Sequence, residues 1–184
     1  DETFYMYYEE TDLSWRAHMA GYRCRYLHTS KVYHDYNPFN PSYSRLFYSF
    51  RNRTLMLLKN WQWVTLLLLL PALCLAELIE ASLAMMQGWR GMRAKLLAQA
   101  WILTHWREVR RMRASTQAAR LVPDSAILRV LAYKVRPSMD RVATIAGIAI
   151  TASNVMFWLN YQVALWLLQR ISVAPVRPHQ VGDQ

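Results

Sequence analysis

Hydrophobic positions are unevenly distributed along the 184-residue chain, and the unevenness divides it. Residues 1–60 are mixed, aromatic and charged, as in a soluble domain. Residues 61–89 form a long apolar run, WQWVTLLLLLPALCLAELIEASLAMMQGW, and a second extends from Val142 to Leu168. A hydrocarbon core needs about 20 apolar residues, so both runs are long enough to cross one. Trp61, Trp63 and Trp89 at the ends of the first suit a bilayer interface. The pattern predicts a first membrane-associated segment over 61–89, a basic amphipathic interfacial region over 90–141, a second transmembrane helix over 142–170 and a loose tail over 171–184.

Neither run is uniform. Pro71 lacks an N–H and predicts a break or kink near the middle of the first. Glu77 and Glu80 would each cost roughly 3 kcal/mol at mid-bilayer. Asn154 and Asn160 interrupt the second, although amides can bond to neighbouring helices. Arg51, Arg53 and Lys59 precede the first run and the basic region follows it. Positive residues favour the cytoplasmic side, so the first run is expected to bend back around Pro71. The alternative is a pair of buried helices in a soluble domain.

Composition narrows the class. At 54% hydrophobic and 13% aromatic the chain is too apolar for disorder. Cys24 and Cys74 are too few for a disulfide scaffold and read as thiols. The formal net charge is +10, and the excess is concentrated: residues 90–141 hold twelve Lys or Arg against three acids. Leu97, Ala100, Trp101, Leu103, Trp106, Glu108 and Val109 give an imperfect helical stripe, followed by REVRRMR. A helix with Trp and Leu on one side and Arg on the other lies in the headgroup plane of an anionic leaflet. Clustered Arg also binds nucleic acid, but no nucleic-acid motif accompanies it. The expected partners are membrane lipids and not nucleic acid.

Chemistry is concentrated in the first sixty residues. Phe4–Tyr8 (FYMYY) reads as a strand or a buried approach. Thr11 or Asp12 is a candidate N-cap, and Leu13, Arg16, Ala17 and Ala20 share a helical face ending at Gly21. Residues 22–27 and 31–34 read as short extended pieces. Glu9, Glu10 and Asp12 therefore crowd the mouth of a helix, where the macrodipole favours carboxylates. The sharper reading is a general base beside a metal-binding histidine, His34. Spacing alone leaves both open.

FYMYYEETDLSWRAHMAGYRCRYLHTSKVYH resembles the C-terminal part of the catalytic domain of family 2 glycosyltransferases. These are inverting, nucleotide-sugar-using enzymes of GT-A fold. The likeness is to the rhamnosyltransferase-like branch, and YSFRNRTLMLLKN and THWREVRRMRASTQAARLVPDSAILRVL are similar to later parts of it. The resemblance implies an α-rich α+β fold class. Residues 1–60 would be the end of a GT-A α/β catalytic domain, with one helix and short strands, followed by membrane-associated helices. It assigns Glu10 as the catalytic base, with Asp12 as its stand-in. Glu9, Trp15 and Arg16 would support or line the acceptor side. Arg51, Asn52 and Arg53 are matched in position without a role; they read either as binding a phosphate of the donor or of a lipid-linked acceptor, or as anchoring to headgroups. His34 would contact the diphosphate leaving group or a divalent cation, Mg or Mn, whose other ligands lie in the absent N-terminal half.

Implied partners are a nucleotide-sugar donor and a glycan or lipid-linked acceptor of cell-envelope polysaccharide synthesis, at the cytoplasmic face of the cytoplasmic membrane. No Asp-x-Asp donor motif occurs, and the chain opens at Asp1 without a leader pattern. It is therefore expected to be a C-terminal fragment, inactive alone. The rival is a small non-catalytic integral-membrane interaction protein.

Overall fold

The computed structural model describes residues 1–33, 43–132 and 144–171. Among them a 3-10 turn over Glu2–Phe4 precedes α1 (Glu9–Met19), α2 (Tyr43–Asn60), α3 (Trp63–Leu68) and α4 (Leu70–Met86). These are followed by α5 (Gly88–Thr104), α6 (Trp106–Ala118), α7 (Asp124–Val130) and α8 (Thr144–Ile171). The expected α+β class, with its short strands, is overturned: among the described residues there is no strand and no sheet. Phe4–Tyr8 is not extended, because Tyr5, Tyr7 and Tyr8 take positive φ. Residues 22–27 and 31–33 form no ladder. A strand is marginal without neighbours to pair with, whatever its propensity.

The chain divides into two compact units, Asp1–Asn60 with Glu80–Val122, and Trp61–Ile79 with Pro123–Gln184. In the first, α2 is central and packs against α1, α5 and α6. Phe50 lies in a cluster with Ala84, Ala94 and Ala98, small residues that let helices approach closely, flanked by Leu46 and Phe47. The chain reverses between α4 and α5 at Gln87 and Gly88, where Gly88 has φ +70°. Three residues on, a Cβ at Gly91 would stand 2.3 Å from the Ala84 carbonyl oxygen. Only glycine fits there.

α1 ends as its sequence predicts. Gly21 takes φ +85°. The Tyr22 N–H donates to the Ala17 carbonyl at 2.9 Å and the Gly21 N–H to that of His18 at 3.0 Å, a Schellman closure. Its beginning differs. The helix starts at Glu9 after Tyr8, and Asp12 lies inside it rather than capping it. The Asp12 side chain is turned inward to other partners.

In the second unit the leucine-rich run is split. α3 stops at Leu68, and Pro71 sits in the first turn of α4, where its missing N–H is harmless. The Leu68 carbonyl at the break accepts from Asn160 Nδ2 of α8 at 2.9 Å. At the other end of α3, Asp124 Oδ2 accepts the Gln62 N–H at 2.8 Å and the Thr65 hydroxyl at 2.5 Å. α8 packs against α3 and α7.

The expected transmembrane helix over 142–170 is a second correction. Among the described residues, no helix is long and apolar enough to cross a membrane. The first run is cut at Pro71. Its Glu80 is engaged in the first unit, in ion pairs with Arg53 and with Lys95, the latter at 2.8 Å. The second run is diluted by Asn154, Asn160 and Gln162.

Candidate functional site

The site is built on the segment that delivers the chain into α1. Tyr5, Tyr7 and Tyr8 have φ of 57°, 64° and 65°. Left-handed backbone costs a non-glycine residue roughly 1–2 kcal/mol, so something must hold it. The holder is Asn52. The two N–H donors of its side-chain amide are shared among three carbonyls, those of Phe4 and Met6, each at 2.7 Å, and of Tyr7 at 2.9 Å. Arg51 completes the clamp: Nε donates to Asn52 Oδ1 at 2.9 Å and Nη2 to the Thr3 carbonyl. The Arg51 guanidinium lies 4.8 Å from each of the Tyr48 and Trp101 rings. Burial pulls its pKa down, although guanidinium stays protonated at any ordinary pH.

One turn into α1, Asp12 anchors the helix from inside. Its Oδ2 accepts from Lys59 Nζ at 2.9 Å and Arg16 Nε at 2.8 Å, and its Oδ1 accepts from Asn60 Nδ2 at 3.0 Å. Asp12 and Lys59 are each 1% exposed. Burial alone would raise the Asp12 pKa, but the bonds from Lys59, Arg16 and Asn60 outweigh it and hold the carboxyl below its usual range. Burial moves Lys59 down as well, opposed by Asp12. Lys59 also pairs with Asp1 at 2.6 Å.

Glu9 and Glu10, in contrast, are exposed at the helix mouth. Burial raises the Tyr8 pKa, Arg53 opposes the rise, and Glu80 and Glu10 add to it. Glu10 thus belongs to the electrostatic surroundings of the clamped loop.

A groove opens between α1 and α6. Its polar part, about 320 Å³, is lined by Arg16, Lys59, Glu108, Arg111 and Ser115 among others. An adjoining, more apolar part of about 380 Å³ includes Leu13, Ala17, Met19 and Tyr22. Arg16, Ser115 and Thr116 border both. Glu10 shares a helix face with Leu13 and Ala17, three and seven residues on, but is not itself among the residues lining either part.

Of the residues singled out from sequence, Asp12 and Arg16 share the buried network, while Trp15 is buried. Arg51 is buried in the loop clamp and Arg53 pairs with Glu80. Glu9 and Glu10 face solvent. His34 lies outside the described residues, among which no three His, Cys, Asp or Glu side chains group as a metal site. From sequence, Lys59 and Asn60 had no role in a site, and Asn52 had none in holding a loop. Their signal was there: Asn52 and Lys59 interrupt the buried stripe of α2 that holds Leu55 and Met56. Polar groups in an apolar stripe need buried partners. No family model matches the chain, and neither a curated protein nor a solved structure does.

Proposed function

We propose that this chain supplies the acceptor-side general base of an inverting sugar-transfer reaction. Glu10 is the base, and the nucleotide-sugar donor is bound by polypeptide outside these 184 residues. The observation that carries the reading is the pinned loop before Glu10: Tyr5, Tyr7 and Tyr8 take positive φ in a segment whose Phe4, Met6 and Tyr7 carbonyls are held by the Asn52 amide. Backbone strain of this kind clusters at functional sites, where the surroundings over-determine it.

The two motifs behind the resemblance supply the two sides of this arrangement. Residues 4–16 give the loop, the carboxylates and Asp12, and residues 48–60 give Asn52, Lys59 and Asn60. The buried ion pairs of Asp12 suit it to holding α1 rather than to taking a proton. An exposed carboxylate can approach an acceptor hydroxyl, accept its proton and leave the oxygen to attack the anomeric carbon. The groove beside α1 offers the acceptor a place. A divalent cation on the departing diphosphate would stabilise its growing charge.

The test is sugar transfer from a labelled nucleotide-sugar by membranes containing the whole gene product. Glu10→Gln is expected to lower transfer about 100-fold or more, the usual worth of a general base, with the amount of folded protein unchanged. Undiminished transfer by Glu10→Gln would remove the assignment.

A further inference from the structure

The outward face of α5 is apolar. At 3.6 residues per turn, Trp89, Leu96, Ala100 and Leu103 fall within about 60° of arc. They lie opposite Gly91, Ala94, Ala98 and Ile102, which are buried. Trp89 is 72% exposed, Leu96 56% and Leu103 75%, and Met86 just before the helix is 83% exposed. A surface helix ordinarily turns polar residues to water, so this one has large apolar side chains where water-facing groups belong.

The charge around the stripe has one sign. Arg90 and Arg93 are exposed beside it, and Arg107 and Arg110 are exposed where α6 begins. Between Gly88 and Ala118 Glu108 is the single acid. Trp101, which the sequence pattern puts in the stripe, instead stacks on His105 with ring centroids 4.4 Å apart and lies against Arg51.

We propose that this face of α5 docks on an anionic lipid surface. Trp89, Leu96 and Leu103 enter the boundary between headgroups and acyl chains, and Arg90, Arg93 and Arg107 meet lipid phosphates. The stripe from Trp89 to Leu103 is about 21 Å long at 1.5 Å per residue, a helix lying in the interface plane. Charge decides the occupant. A second copy of a chain at +10 is repelled, whereas an anionic leaflet attracts cationic segments beside an apolar face. The inference is independent of the catalytic reading and stands or falls separately.

The experiment uses the full chain with Cys24→Ser and Cys74→Ser, and a nitroxide at Leu96→Cys, at Leu103→Cys or, as a control on α1, at Thr11→Cys. Added phosphatidylcholine–phosphatidylglycerol vesicles are expected to shield the labels at 96 and 103 from a water-soluble relaxant and open them to oxygen. The label at 11 should not change. Arg90→Gln with Arg93→Gln should weaken vesicle binding by about tenfold or more, since each cation near an anionic surface contributes about fivefold, with the helical circular dichroism unchanged. Labels at 96 and 103 that stay water-accessible on vesicle-bound chain would overturn the proposal. So would failure to bind vesicles, equal binding to pure phosphatidylcholine, or spin–spin broadening between copies without lipid.

Discussion

Asp12 and Glu10 are two residues apart and chemically similar, and their surroundings separate them completely. Asp12 is buried among Lys59, Arg16 and Asn60, whereas Glu10 is exposed. Breaking a buried pair leaves an uncompensated charge, so Asp12→Asn should destabilise the fold by about 3–5 kcal/mol in urea denaturation. Joint replacement by Asp12→Leu and Lys59→Met should cost less than the sum of the two single changes, because the two fully buried charges leave together and only the partly exposed Arg16 and Asp1 and the Asn60 amide lose a partner. Glu10→Gln should shift the urea midpoint hardly at all. Acid should act through the same residue. The Asp12 pKa is depressed in the folded state, so its stabilisation is present above the unfolded value of about 3.9 and lost as pH falls through the folded one. Acid unfolding of Asp12→Asn should therefore depend less on pH below about 4. From sequence, the three acids at the helix mouth were legible and their division of labour was not. Burial is decided by α2, some forty residues further on.

Among the elements, the clamp between α2 and the tyrosine loop and the turn between α4 and α5 make the sharpest demands. Asn52→Ala removes the amide from the Phe4, Met6 and Tyr7 carbonyls, of which, among the described residues, only that of Phe4 keeps another donor, the Met6 N–H. Each buried orphan costs about 1–3 kcal/mol, so hydrogen exchange over residues 5–12 should accelerate before the rest of the unit. Gly91→Ala pushes a methyl into the Ala84 carbonyl. Overpacking of this kind typically costs about 1–3 kcal/mol, to be read as a lower melting temperature. The helices at α1 and around Pro71 were legible because Gly21 and Pro71 act locally, through φ and a missing N–H. The strands read into 4–8, 22–27 and 31–34 were not sound. Aromatic and β-branched residues favour strands only where neighbours exist to pair with. Likewise the membrane-associated segment read over 61–89 and the transmembrane helix read over 142–170 rested on counting apolar residues. They could not foresee Glu80 between Arg53 and Lys95, or Asn160 on the Leu68 carbonyl.

Taken whole, the molecule is two helical units. Segments adjacent in sequence are shared out between them, so that α4 contributes its first turns to one and its last to the other. Division by composition, at residues 60, 89 and 141, could not anticipate a boundary inside a continuous helix. The charge asymmetry was legible, and it coincides with helices whose outer face is apolar. The central claim joins these levels: a strained loop, fixed by α2, holds one carboxylate ready for an acceptor hydroxyl. Its most direct test is the rate of sugar transfer by whole gene product carrying Glu10→Gln, beside Asp12→Asn at equal amounts of folded protein. Glu10→Gln should all but abolish transfer, while Asp12→Asn, corrected for its lost stability, should keep a substantial part of it. Full activity in Glu10→Gln, or abolition by Asp12→Asn alone, would contradict it.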